Sequence, residues 1–477
     1  MVEEPSRPGT SATSQLAGRM LWNLTGIVTS NVARLVALAL VGQVGGAATL
    51  GNVQTAVSTA NLAAMAGPTS VGSAAGRYLP ISGPRAGPVA RRLLWHGNAL
   101  GLLFALVCGA VFVPFFGPQV ALATAVLAFV LCQWAVARGI AIADGTALRS
   151  MILVEAVGAL ALVVAMAGAV LLGAPWPFYL LALTVLHVPL TLSVLVRHRR
   201  DPRATSIGVG YRRYVWWGVV GTVASGGLVH LMNVVTNGLG GAVEAGYLAA
   251  GLLLVSPLGM LSSALAQVSL PWFSRLLDDG REGDARDKGR QLSASMQWVV
   301  GTVVLVLVPF GPRLARLVFG TDMRLDHATF IVLGAATVAM ASRIGAVVLL
   351  SARGYEQVRR MAVLSYVGLG AAVLVWGITY AVQGRVSALS AGLGYGLGAA
   401  LVTVLITAVA HGAGAAGWSV VGLVSWLGAA YGVTYAGAQL GLPAVLAVAL
   451  ASALWIVSNR DGIRFLLGWG KVWVGDR

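Results

Sequence analysis

Apolar residues run along this chain in blocks of about 20, the length a helix needs to cross the hydrocarbon core of a bilayer. Short polar breaks separate the blocks. Fourteen transmembrane helices are predicted, near 20–42, 52–79, 92–116, 119–143, 148–172, 177–197, 213–239, 245–274, 292–310, 327–352, 359–381, 387–410, 417–437 and 441–458. Gly and Ala dilute the last two. Gly and Pro within the blocks are compatible with helices, because membrane helices tolerate both. The first 18 residues are polar and rich in Ser, Pro and Thr, with no short apolar core and cleavage site. They are expected to form a cytoplasmic tail.

Composition agrees with a membrane protein. The 477 residues are 57% hydrophobic and only 10% charged, against roughly 25% charged in soluble domains. A soluble enzyme, a disordered chain and a nucleic-acid-binding domain are thereby disfavoured. The net charge of +16 has a topological explanation. With the N-terminus inside, inner segments carry 25 of the 32 Lys and Arg, outer loops carry 4, and Arg34, Arg138 and Arg343 fall within helices. That bias predicts an even number of spans, with both ends cytoplasmic. Cys108 and Cys132 lie in apolar runs and read as small buried hydrophobes.

The two halves repeat. Gly45-Gly46-Ala47 with Gly51 matches Gly240-Gly241-Ala242 with Gly246, at an offset of 195. Val113 to Pro118 matches Val308 to Pro312. Arg149, Met151, Val157 and Gly158 match Arg359, Met361, Val367 and Gly368 at an offset of 210, and Arg138 matches Arg343 at 205. Six helices separate matched points, so the repeats are parallel and related by an axis along the membrane normal. The expected domains are a tail (1–18), an N-lobe of helices 1–6 (19–198), a basic cytoplasmic linker (199–212), a C-lobe of helices 7–12 (213–411), two further helices (412–458) and a C-terminal tail (459–477). The predicted fold is all-α and polytopic, with two parallel six-helix lobes facing a central cleft.

A charge at mid-bilayer costs about 2.5–3.5 kcal/mol even on the milder scales, so each needs a reason. Asn23, Ser30, Asn31 and Arg34 share one helical face. Gln54, Ser58 and Asn61 form a second stripe, and His230, Asn233 and Asn237 a third. Arg34 falls within one residue of the repeat position of His230. These stripes either face a hydrated cleft or hold helices together. Arg138 and Arg343 lie nearer the cytoplasmic ends of their helices and either join the cleft or snorkel to headgroups. Glu155, the sole acidic residue clearly inside a helix, either pairs with an arginine or carries a coupling proton or sodium ion. His96 and His187 read as helix packing. The excess of arginine favours an anionic substrate, since the guanidinium fork suits phosphate.

Other signals carry little. Gly412 to Gly417 spells a dinucleotide fingerprint, but it follows an apolar helix rather than a strand. Gly392, Gly394, Gly396 and Gly398 fit close helix packing. No Walker motif and no metal-ligand spacing is present, so no cofactor is expected. The first outer loop, Gln43 to Leu50, has no acidic residue, which disfavours a lipid-sugar glycosyltransferase.

The stretch from Ser30 to Pro80 resembles the polysaccharide flippase branch of the multidrug/oligosaccharidyl-lipid/polysaccharide (MOP) exporter superfamily. Arg34 in the first helix, the glycine-rich turn Gly45 to Gly51 and Arg77 at the end of the second helix carry the resemblance, with an echo from Gly240 to Arg275. The resemblance implies a V-shaped cavity between two lobes and flipping of a polyprenyl-linked oligosaccharide by alternating access. It also implies that cavity arginines hold the pyrophosphate, with Arg34 the best match. Leu35 stands where the lipid II branch has an acidic neighbour, which disfavours lipid II as the substrate.

The expected protein is thus a flippase of the cell membrane rather than an enzyme, serving cell-surface polysaccharide biosynthesis. Its partners would be the lipid-linked oligosaccharide, the bilayer and polysaccharide assembly enzymes, with no nucleic acid. The expected substrate residues are Arg34, Asn31, Gln54, Asn61, His230, Asn233, Asn237, Arg138 and Arg343. A cation-coupled drug exporter dependent on Glu155, and a membrane polymerase or ligase, are the alternatives.

Overall fold

The computed structural model describes residues 10–144, 148–199, 207 and 210–436. Among them there are helices and no strands. The first helix, α1 (Thr10–Met65), leaves helical geometry at Gly46, where φ is 68°. Its apolar part, Val28–Met65, has 38 residues. At 1.5 Å per residue that is about 57 Å, nearly twice the hydrocarbon thickness, so it supplies two passes joined at Gly46. Only glycine takes that positive φ without strain.

The second pass ends in α2 (Pro68–Tyr78) after a break at Gly67. Three helices follow: α3 (Ala86–Phe116), α4 (Pro118–Asp144) and α5 (Leu148–Leu171). The sixth pass is the pair α6 (Pro177–Val185) and α7 (Val188–Arg197), bent by 44°. The seventh is α8 (Tyr211–Ser225) and α9 (Gly227–Gly240), bent by 49°. Then come α10 (Ala242–Asp278), α11 (Glu282–Leu307), the short α12 (Gly311–Phe319), α13 (His327–Ser342), α14 (Ile344–Ala352), α15 (Tyr355–Gln383), α16 (Ala388–His411) and α17 (Ala413–Tyr431).

Ten of the described segments are long and apolar enough to cross a membrane, or twelve when each bent pair is one span, with α1 counted once; its two passes bring the total among the described residues to thirteen. Exposed Leu106, Leu160 and Leu171 form the apolar exterior such a bundle presents to lipid. The sequence predicts unbroken second, sixth, seventh and tenth helices, and the structure breaks all four. Gly67-Pro68, Pro189 and the Gly226-Gly227 pair explain the first three, since Pro lacks the N–H and glycine carries no helix preference. The fourth breaks at Arg343. The fourteenth predicted helix, the C-terminal tail and most of the 199–212 linker lie outside the described residues. Helix α1 begins within the stretch expected as an N-terminal tail.

Helices α1–α7 form one lobe and α8–α16 the other. Glycines let backbones touch within each lobe. Gly158 abuts the Leu186 carbonyl, and its repeat equivalent Gly368 abuts Gly398. Helix α17 packs on the second lobe, where buried Trp426 donates Nε1–H to the Gly301 carbonyl at 2.8 Å.

The lobes meet along a long seam. At the glycine-turn end, Gly51 packs on the backbone of Ala242 and Gly246, and Gly246 packs on Ala47. Asn237 Nδ2 donates to Asn52 Oδ1 at 3.1 Å and Thr55 Oγ1 at 2.9 Å. Gln43 Nε2 reaches across to the Val318 carbonyl at 3.0 Å, a carbonyl left open at the end of α12. At the opposite, arginine-rich end, Tyr78 meets Tyr211 and Tyr214 edge-on at 5.9 and 6.1 Å. His96 Nδ1 lies 3.1 Å from the Tyr211 hydroxyl, and Arg77 lies over the Tyr214 ring.

Candidate functional site: a cavity between the lobes

A cavity of about 340 Å³ lies at the seam. Helix α1 contributes Asn31 and Arg34 from its first pass and Gln54 from its second. Helix α9 contributes His230 and Asn233. Arg343 enters from the joint between α13 and α14. Apart from Arg343, each polar group is carried on a helix that is otherwise apolar, so its position is fixed by packing rather than by a loop.

The charges are of one sign. Arg34 is half-buried and lies within electrostatic range of His187 and His230. Arg343 is buried and acts on Tyr395, which lines the same cavity. Among the described residues neither guanidinium has a carboxylate partner. No group of three or more His, Cys, Asp or Glu among the described residues could hold a metal ion. Two arginines, one from each lobe, therefore offer planar donor forks to one enclosed space.

Two acceptors complete the lining. Gln54 Oε1 and Asn233 Oδ1 are buried with no hydrogen-bond partner. The Asn233 amide is oriented by its Nδ2–H, which donates to the Val229 carbonyl at 3.2 Å.

Solved structures share this architecture. A lipid II flippase, MurJ, in an inward closed conformation, superposes with a TM-score of 0.67 at 10% identity, over 94% of this chain and 99% of that one. A MOP superfamily transporter from Pyrococcus furiosus gives 0.60 at 13% identity, over 89% and 99%. An inward-facing multidrug resistance MATE family transporter gives 0.58 at 12% identity, over 85% and 98%. The chain has the MOP fold. No family model matches the sequence, and no curated protein matches it.

Within the MOP fold, the cavity brings together six of the nine substrate residues expected from the sequence: Asn31, Arg34, Gln54, His230, Asn233 and Arg343. The other three do not line it. Asn237 spends its amide on Asn52 and Thr55 and so ties the lobes together. Asn61 donates to the Val57 carbonyl of its own helix at 2.8 Å. Arg138 lies inside the first lobe, 3.4 Å from Glu155 and stacked on Trp134 at 5.5 Å.

Arg138 and Arg343 occupy matching repeat positions yet have different surroundings. Glu155 maps to Ser365 at the offset of its helix, so the second lobe has no carboxylate there to neutralise Arg343. Of the two readings of Glu155, the structure supports pairing with an arginine. Its second oxygen, Oε2, faces Gly26 of α1.

Tyr395, Thr337 and Ser262 also line the cavity, and nothing in the sequence singles them out. Thr and Ser are common packing residues in membrane helices. Tyr395 was masked by the glycines around it, and those do serve packing: Gly394 abuts Trp376 and Gly398 abuts Gly368.

Proposed function

We propose that this protein is a transporter that flips a polyprenyl-(pyro)phosphate-linked oligosaccharide across the cell membrane for cell-surface polysaccharide assembly. The observation that carries this reading is the pair Arg34 and Arg343, placed on opposite lobes around one cavity without a carboxylate among the described residues. An anion bridging them gains charge-assisted hydrogen bonds from both lobes. Arginines at that depth are retained against a cost of about 2.5–3.5 kcal/mol each on the milder scales, which a bound phosphate offsets.

Flipping then follows from geometry. Polar contacts close the seam at the glycine-turn end and aromatic contacts at the arginine-rich end. Rocking of the lobes opens one set while the other holds, and exposes the cavity to each side in turn. The prenyl chain stays in lipid while the headgroup crosses in the cavity. No covalent bond changes, so no catalytic residue is needed. The likeness to a lipid II flippase is consistent with this class of substrate, and Leu35 beside Arg34 argues for a different glycan.

A cation-coupled multidrug exporter is the second reading, supported by the likeness to MATE transporters. The ion pair of Glu155 with Arg138 weighs against it, because the guanidinium competes with a cation for the carboxylate. Native mass spectrometry of gently purified protein tests the two. A bound mass that fragments to polyprenyl phosphate and sugars is expected. Protein carrying ordinary phospholipids alone, together with drug export that depends on Glu155, contradicts it.

A further inference from the structure

The cavity holds a second recognition element beside its arginines. Gln54 and Asn233 line the same space from opposite lobes, and their Oε1 and Oδ1 are buried acceptors without a partner. Gln54 is 6% exposed and Asn233 1% exposed. Neither oxygen suits a phosphate, since both sides would be acceptors. Buried acceptors left without a donor are unfavourable, and the great majority in folded proteins are satisfied. The bond from Asn233 Nδ2 to the Val229 carbonyl rules out turning that amide to present its donor without losing a partner.

The cavity's size adds a limit. About 340 Å³ is near the lower end of ligand pockets, which span roughly 300–1,000 Å³. With both ends of the seam in contact, it has room for a phosphate and the sugar joined to it.

Resting on the anionic-lipid reading above, we propose that Gln54 and Asn233 select the sugar joined directly to the phosphate, by accepting hydrogen bonds from its hydroxyl groups. The arginines hold the phosphate and the two amide oxygens read its neighbour. The protein thereby discriminates a glycosylated polyprenyl phosphate from the bare carrier. The bare carrier leaves both acceptors unsatisfied.

Three lipids test this on the purified full chain in detergent: polyprenyl phosphate, the same lipid bearing one neutral hexose, and that hexose lipid with its hydroxyls methylated. Wild type is expected to bind the hexose lipid about tenfold more tightly than either of the others. Gln54→Met keeps the side chain's length and removes the acceptor, and should bring the ratio of hexose lipid to methylated lipid down toward one. Asn233→Leu provides the same reading if Gln54→Met does not accumulate. A wild type that binds all three lipids equally, or ratios unchanged in both variants, overturns the proposal. A wild type that binds none of the phosphate lipids overturns the anionic-lipid reading beneath it instead.

Discussion

Gly51 and Gly246 hold the same position in the two halves of the repeat, and each packs on the backbone of the other's turn. A Cβ on Gly51 would strike the Ala242 carbonyl, and one on Gly246 would strike that of Ala47. The pseudo-twofold relation is thus written into a single close approach, which closes the glycine-turn end of the seam. Gly51→Val should destabilise this closed arrangement by about 1–3 kcal/mol, the usual cost of overpacking. Thermal unfolding in detergent checks it, and Gly51→Val with wild-type stability would count against the closeness of the approach.

Arg138 and Glu155 form an ion pair with little solvent, their side chains 13% and 5% exposed. Removing one partner of such a pair typically costs about 3–5 kcal/mol, because the other charge is left buried alone. Glu155→Gln should therefore lower thermal stability markedly, and Arg138→Met combined with Glu155→Leu should restore much of it. A stable Glu155→Gln protein that has lost transport would return Glu155 to an ion-coupling role.

The arginine-rich end is held by rings rather than by glycines. Tyr78 makes two edge-on contacts with Tyr211 and Tyr214 across the seam. Each such pair contributes about 0.5–1.5 kcal/mol beyond burial. Tyr78→Ala should shift the population toward opening at this end by about tenfold, taking ~1.4 kcal/mol as the loss. A cysteine placed in the cavity by Asn31→Cys would report it, through faster labelling by an impermeant thiol reagent. Both native cysteines are buried. Equal labelling rates with and without Tyr78 would show that the rings do not hold the end shut.

Much of this fold is legible in sequence because a bilayer imposes a simple length rule. Blocks of about 20 apolar residues, and the offsets between matching glycines, lead directly to two similar lobes. The breaks were harder to read. Pro189 and Gly226 look like the Gly and Pro that membrane helices tolerate elsewhere, and only packing decides which of them bends a helix. The same limit applies to the site. The stripe on α9 divides between two tasks, with His230 and Asn233 in the cavity and Asn237 across the seam. Helical spacing places all three on one side but does not say what each meets. Arg138 and Arg343 make the point most sharply, since a difference elsewhere, Glu155 against Ser365, separates a paired arginine from one that faces the cavity.

The central claim is that Arg34 and Arg343 together hold the anionic group of a lipid carrier. Reconstituted vesicles containing a fluorescent polyprenyl phosphate hexose test it most directly, through protection of the label from an impermeant quencher as the lipid crosses. Wild type should accelerate crossing. Arg34→Ala and Arg343→Ala should each reduce the rate at least tenfold, the cost expected for one charge-assisted contact of about 1.5–3 kcal/mol, while elution as a folded monodisperse protein is retained. Folded variants that flip the lipid at the wild-type rate would contradict the account.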